Sequence, residues 1–120
     1  MMTDKDLLRF ASKAANVGLI YNEGQGRWHL PMLLCDDLPT YWDPLTDDGD
    51  AFRLAVALNL DIFQDSVSHM RNTVEVVAND NINPDYDDYF STMEVRSPDP
   101  LAATRRAIVK TAAQIGKILP

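Results

Sequence analysis

The first residues in this chain whose types and spacing could perform chemistry are four aspartates within eight positions. A divalent cation could lie between these carboxylates, which belong to Asp43, Asp47, Asp48 and Asp50. Their spacing differs from that of an EF-hand loop, which needs acids at alternate positions and a later bidentate glutamate. Acids at the start of a helix also cap its free N–H groups and favour the positive end of its dipole. We therefore predict a structural turn without a bound metal, in which Thr46 or Asp47 caps the helix.

The second candidate is an arginine on the apolar side of a predicted C-terminal helix. With 3.6 residues per turn, Arg105 lies about 40° from Leu101, inside the apolar stripe, whereas Arg106 points to solvent. A guanidinium on a buried face needs a carboxylate or a carbonyl group as its partner. Arg105 could form an anion or ligand site, but we favour an ion pair that fixes this helix to residues 43–50. The candidate binding residues are accordingly Trp42, Asp43, Asp47, Asp48 and Arg105.

An acidic and aromatic segment further along the chain is a candidate surface for a protein partner. Tyrosines between acids favour contact with a basic partner, because aromatic residues dominate the hot spots of interfaces. A solvated hairpin loop has the same composition, and we favour that interpretation. The residues concerned are Asp85, Tyr86, Asp87, Asp88 and Tyr89.

The remaining reactive side chains form no pattern typical of catalysis or metal binding. His29 and His69 have no cysteine or glutamate at metal-ligand spacing. Cys35 precedes two aspartates, whose negative charges disfavour a thiolate nucleophile. The sequence contains no nucleophile elbow, phosphate-binding glycine loop or dinucleotide fingerprint. We therefore expect no catalytic residues, no metal and no cofactor, and we favour a non-enzymatic protein.

Three helices are predicted to position these residues. The first spans residues 4–17, with Thr3 as its N-cap and Gly18 as its end. The second runs from residue 47 or 48 to about residue 58, and the third begins at Pro100 after the N-cap Asp99. The apolar stripes comprise Leu7, Leu8, Phe10, Ala11, Ala14 and Ala15 in the first helix, Ala51, Leu54, Ala55 and Leu58 in the second, and Leu101, Ile108, Ala112, Ile115 and Leu119 in the third.

Short apolar segments between the helices predict strands. They are residues 19–22, 27–30, 60–63, 74–78 and 90–96. Residues 31–46 contain three prolines and are expected to form an irregular crossing. Short links between strands favour antiparallel pairing with helices packed on the sheet. The predicted fold class is therefore α+β, with three principal helices and an antiparallel or mixed sheet of about four strands.

The composition is typical of a globular protein with one domain, residues 1–120. Of the 120 residues, 46% are hydrophobic and 24% are charged, and a single cysteine excludes an internal disulfide. The net charge of −7 disfavours general binding to nucleic acid, which needs a basic surface. The longest apolar run, residues 30–35, is too short to span a membrane, and the acidic N-terminus is unlike a signal peptide. We expect a cytoplasmic protein that contacts neither membranes nor nucleic acid directly.

Two segments of the chain carry a family resemblance. Residues 42–56 read WDPLTDDGDAFRLAV, and residues 99–110 read DPLAATRRAIVK. Together they resemble the phage ABA sandwich domain family, a group of small proteins encoded by phages and prophages. The family pattern has Asn at the position of Asp43 and Leu at that of Phe52, and neither difference breaks the match. The resemblance implies a three-layer α-β-α sandwich and a phage or prophage origin in a bacterial host cell, but it supplies no catalytic residues.

Three functions are compatible with these observations. The first, which the resemblance and the missing catalytic motifs favour, is a non-enzymatic phage accessory protein that binds a protein partner. The second is an acidic inhibitor that mimics DNA and blocks a nucleic-acid enzyme of the host, since the acids are concentrated in residues 1–100. The third is a small-ligand binder or enzyme that uses Arg105 with residues 43–50. That function requires these groups to converge in an open cleft.

Overall fold

The longest helix in the computed structural model, α3 (Pro100–Ile118), lies at the centre of the packing. The structure describes residues 2–34, 38–65, 72–78 and 90–119. These ranges also contain α1 (Asp4–Ala14) and α2 (Asp48–Ala57), so the three predicted helices are confirmed. α1 makes the most extensive contact with α3, and strands and α2 pack against other sides of that helix.

The strands of the described ranges form two antiparallel sheets of three strands each. The first sheet has the order β1 (Ile20–Asn22), β2 (Arg27–Leu34) and β3 (Leu38–Tyr41). The second has the order β4 (Leu60–Asp65), β5 (Thr73–Ala78) and β6 (Ser91–Val95). The predicted α+β class and the antiparallel pairing are confirmed. The prediction of one sheet with about four strands differs from this arrangement of six strands in two sheets.

One additional strand, β3, and an extension of β2 come from the segment that was expected to be an irregular crossing. β2 continues through Pro31 to Leu34, and β3 contains Pro39. A proline lacks the N–H that a ladder uses, so it fits at edges and irregular positions. Pro39 lies in an edge strand, and Pro31 lies where the register between β2 and β3 shifts, between Leu30 and Leu33. The prolines therefore interrupt the pairing locally without preventing the strands.

The N-termini of the helices form by the short-range hydrogen bonds that the sequence predicts. Thr3 caps α1 in a capping box with Asp6. Asp47 caps α2, and Asp99 caps α3 with Pro100 as the first helical residue. Because each cap reaches only two or three residues along the chain, the local sequence determines where each helix begins.

The end of α1 differs from the prediction. The helix stops at Ala14, and Asn16 rather than Gly18 adopts the left-handed conformation, with φ of 57°. The N–H of Val17 then bonds to the carbonyl oxygen of Ser12 at 2.9 Å, as in a Schellman motif. Asparagine tolerates this conformation because its short polar side chain can bond locally. The assignment of the helix end to glycine is therefore wrong.

The core forms where α1 and α2 meet α3 and the inner side of the second sheet. The buried apolar residues of the helices are Leu7, Leu8 and Ala11 in α1, Ala51, Leu54, Ala55 and Leu58 at α2, and Ala107, Ile108, Val109, Ala112, Ala113 and Ile115 in α3. Leu101, predicted on the α3 stripe, is exposed, because the first turn of α3 extends beyond the closely packed residues 107–116. Among the described helices, none combines the length and apolar character needed to cross a membrane.

One glycine allows α1 and α3 to come into close contact. A Cβ atom added at Gly116 would lie 2.6 Å from the carbonyl carbon of Phe10 and closer still to its oxygen. Both are backbone atoms of α1, so neither can rotate away from the added atom. The observed distance between the two helices therefore requires a residue without a side chain at position 116.

We expect Gly116→Ala to lower the free energy of unfolding by about 2 kcal/mol or more, because the helices must separate to fit the methyl group. Helix propensity alone predicts the opposite, since alanine is about 1 kcal/mol more favourable than glycine in a helix. Gly18→Ala is the matched control, because an added Cβ meets no atom within 4 Å there. It should change stability by no more than about 1 kcal/mol. Urea denaturation measures both, and a Gly116→Ala protein as stable as the parent would contradict the close contact.

Candidate functional site

The aspartates before α2 fold into one hydrogen-bonded turn. The side chain of Asp47 accepts the N–H of Asp50 at 2.8 Å, which caps the helix as predicted. The N–H of Asp43 donates to Oδ2 of Asp50 at 2.9 Å, and Oδ1 of Asp43 accepts the N–H of Leu45 at 3.1 Å. Gly49 lies in the first turn of the helix, also as predicted. These bonds close the turn on itself and occupy oxygens from three of its four carboxylates.

Two arginines bind further carboxylate oxygens of this turn. Nη2 of Arg53 lies 2.6 Å from Oδ1 of Asp50 and 3.9 Å from Oδ2 of Asp47. Nη1 of Arg105 lies 2.6 Å from Oδ1 of Asp48. Within the part of the chain that the structure describes, no three His, Cys, Asp or Glu side chains are grouped to hold a metal ion. The geometry favours a capping role, and the absence of a metal from this turn stays a prediction.

Arg105 connects α3 to the turn in the way that its position on the helix predicts. Its Nε donates to the carbonyl oxygen of Leu45 at 2.8 Å, and its Nη1 donates to Asp48. The Arg105 side chain is 17% exposed, whereas that of Asp48 is 66% exposed. The predicted contact with residues 43–50 is confirmed, but the ion pair joins a mostly buried arginine to an exposed aspartate.

The neighbouring Arg106 has a more exposed environment. Its side chain is 42% exposed, and its Nη1 lies 3.3 Å from Oδ1 of Asp4. Its Nε lies 3.9 Å from Oε1 of Glu94, an oxygen that Nζ of Lys110 approaches at 2.6 Å. Arg106 therefore lies at the surface, as predicted, but it takes part in a network of ion pairs that the helical position alone does not indicate.

The turn brings together all five residues proposed as its binding group. They are Trp42, Asp43, Asp47, Asp48 and Arg105. Trp42 is buried, and its backbone N–H donates to the backbone carbonyl oxygen of Trp28 at 3.0 Å. This bond connects the start of the turn to β2. These contacts are internal, so they stabilise the fold, and a ligand at this group stays a prediction. The other candidate surface, residues 85–89, lies outside the described residues.

A surface that no sequence pattern singles out is the outer face of the second sheet. We define the outer face as Asp61, Phe63, Thr73, Glu75, Val77, Ser91, Met93 and Val95. In the ladders Phe63 lies opposite Glu75, and Glu75 lies opposite Met93. Residues directly opposite each other share one face of a sheet. Phe63, Met93 and Val95 are all exposed there.

The polar contacts of α3 explain why apolar side chains of β6 face outward. β5 turns Val74 and Val76 toward the core, where both are fully buried. β6 instead turns Glu94 inward, where it meets Lys110 of α3. Since successive strand residues point to opposite faces, Met93 must then point outward. The alternation in β6 is visible in the sequence, but the side that meets α3 depends on its register with β5 and on Lys110, which lies about 16 positions away from Glu94 in the chain.

We expect Arg105→Ala to lower the free energy of unfolding by about 2–3 kcal/mol, since it removes two hydrogen bonds of a charged group and leaves the Leu45 carbonyl oxygen without this donor. The loss is smaller than the largest values for buried ion pairs, because water solvates the exposed Asp48 carboxylate once Arg105 is removed. Arg106→Ala is the matched control, with an expected loss below about 1 kcal/mol. Thermal unfolding followed by circular dichroism measures both. Equal, small decreases in Tm would show that the Arg105 contacts do not fix α3 to the turn.

Comparison with known proteins provides no relative whose function could apply to this chain. No family model matches the sequence, and neither a curated protein nor a solved structure matches it.

Proposed function

We propose that this protein is a non-enzymatic phage or prophage accessory protein that binds a protein partner through the outer face. The observation that carries the proposal is the exposure of three large apolar side chains, Phe63, Met93 and Val95, on that face. Apolar side chains in water cost free energy, and clusters of them mark interaction sites. Covering them with a partner recovers that free energy.

The two segments that resemble the phage family have a structural role, which favours a binding surface elsewhere. Arg105 of the second segment bonds to Leu45 and Asp48 of the first. Asp47 and Asp99 cap the helices that the two segments begin. These bonds engage the polar groups of the two segments within the fold. We therefore assign partner binding to the outer face.

The chemistry of the outer face favours a partner with basic and apolar side chains. Glu75 lies between Phe63 and Met93, and Asp61, which already takes part in an interaction of its own, lies on the same face. The described strands contribute no lysine or arginine to it. Positive charge on a partner would complement these acids, whereas a second copy of the chain would bring acid against acid. We therefore propose a different protein as the partner.

The cellular setting is part of the same proposal. The resemblance of residues 42–56 and 99–110 supports a phage or prophage origin, action in the cytoplasm of a bacterial host, and a three-layer α-β-α sandwich. The single cysteine fits a reducing compartment, and the net charge of −7 disfavours direct contact with nucleic acid.

The two alternative functions receive less support. A DNA mimic must present free carboxylates, yet several are paired with cations: Asp48 with Arg105, Asp50 with Arg53, and Glu94 with Lys110. A ligand site at Arg105 would have to displace its two internal acceptors. Among the residues that the structure describes, these pairings leave fewer open groups for either function.

The test is to capture partners from a bacterial lysate with the parent protein, Phe63→Ser and Phe52→Ser. Phe52 is the matched control, because it is a phenylalanine of α2 with 68% exposure, against 55% for Phe63. We expect one basic protein to bind the parent and Phe52→Ser, to bind Phe63→Ser about tenfold more weakly, and to be released by salt. Equal capture by both variants, or no captured basic protein, would contradict the proposal.

Sedimentation of the purified protein tests whether a second copy of the chain covers the outer face instead. We expect a monomer, since the acids of two outer faces would repel each other. A dimer that Phe63→Ser dissociates would show that a second copy covers the face and would overturn the choice of a different protein as partner.

A further inference from the structure

A cleft of about 170 Å³ lies between α1, the hairpin of β1 and β2, and the turn before α2. Its walls include the aromatic rings of Tyr21, Trp28 and Trp42 and the cations Lys5 and Arg27. Concave sites that bind small molecules combine apolar walls with a few convergent polar groups. This cleft is smaller than a pocket for a drug-sized ligand, so its ligand must be small.

The two cations in this cleft lie against aromatic rings rather than against carboxylates. Nζ of Lys5 lies 3.9 Å from the ring centroid of Tyr21, and Cζ of Arg27 lies 3.8 Å from that of Tyr41. In the described ranges neither has a carboxylate within 4.0 Å. The basic residues that do have such a partner are Arg9, Arg53, Arg105, Arg106 and Lys110. In a chain with an excess of acids, two cations beside one cleft are available for an anion.

The indole N–H of Trp28 is a second, independent sign of a ligand. Its Nε1 is buried and has no hydrogen-bond acceptor in the part of the chain that the structure describes. A buried donor without an acceptor costs about 1–3 kcal/mol. The ring itself is fixed by an edge contact with Tyr21, at 4.9 Å between centroids. An acceptor oxygen that reached Nε1 from the cleft would remove this cost.

Two carboxylates also line the cleft, but other groups engage them. Oδ1 of Asp4 lies 3.3 Å from Nη1 of Arg106. Oδ1 of Asp43 accepts the N–H of Leu45 within its own turn. Because Arg106 offsets the charge of Asp4, the two positive charges of Lys5 and Arg27 exceed the remaining negative charge of the cleft. This excess favours a small anion with a single charge.

We propose that this cleft binds a small aromatic carboxylate. Its ring lies against the tryptophans, and its oxygens accept hydrogen bonds from Lys5, Arg27 and the indole N–H of Trp28. A carboxylate matches the planar guanidinium through two parallel hydrogen bonds. Charge-assisted hydrogen bonds of this kind are roughly twice as strong as hydrogen bonds between neutral groups. The site lies apart from the outer face, so it does not depend on the proposed protein partner.

The intrinsic fluorescence of the protein reports on this site directly, because Trp28 and Trp42 are its only tryptophans and both line the cleft. We expect benzoate to change the emission to saturation and benzamide, its neutral analogue, to bind at least about tenfold more weakly. Lys5→Gln and Arg27→Gln should each weaken benzoate binding about tenfold. Lys117→Gln, an exposed change outside the cleft, should bind benzoate like the parent.

Trp28→Phe distinguishes the contribution of the indole hydrogen bond from that of the aromatic ring. Calorimetry measures the affinity of this variant for benzoate. The variant keeps a ring but removes the buried donor, so we expect its Tm to equal or exceed that of the parent and its affinity for benzoate to fall. Equal affinities for benzoate and benzamide, unchanged binding in both glutamine variants, or no saturable signal would overturn the proposal. Tighter binding of phenyl phosphate than of benzoate would overturn the assignment of a carboxylate.

Discussion

The close contact between the Phe10 backbone and Gly116 determines how near α1 lies to α3, and the rest of the fold depends on that distance. Ala107, Ala112 and Ala113 are fully buried in the same stretch of α3, so small side chains allow neighbours to approach this helix from several sides. α1, α2 and the second sheet then share one core. Dense packing of this kind is what stabilises a short chain that has no disulfide.

The basic residues of α3 bind the surrounding elements to this central helix. Arg105 reaches the turn before α2, Arg106 reaches Asp4 of α1, and Lys110 reaches Glu94 of β6. Three of the cations of α3 therefore connect the helix to its neighbours within the fold. The two binding sites that we propose lie at the periphery, on the outer face and in the cleft beside Trp28.

The features that the sequence predicts are those with short-range causes. Thr3, Asp47 and Asp99 cap their helices through residues two or three positions away, and Arg105 follows from helical periodicity. The outer face could not be predicted in this way, because the side of β6 that faces inward depends on its register with β5 and on its contact with α3. The cleft escaped prediction for the same reason: it combines side chains from separate segments, so no spacing in the sequence indicates it.

Amide hydrogen exchange, measured residue by residue, tests the central position of α3 most directly. If the other elements surround this helix, the amides of residues 107–116 exchange only through global unfolding and report the full free energy of unfolding. β1, three residues at the edge of the first sheet, should exchange through local opening and therefore much faster. Exchange in residues 107–116 as fast as in β1 would contradict the account, because it would mean that α3 opens without unfolding the elements packed on it.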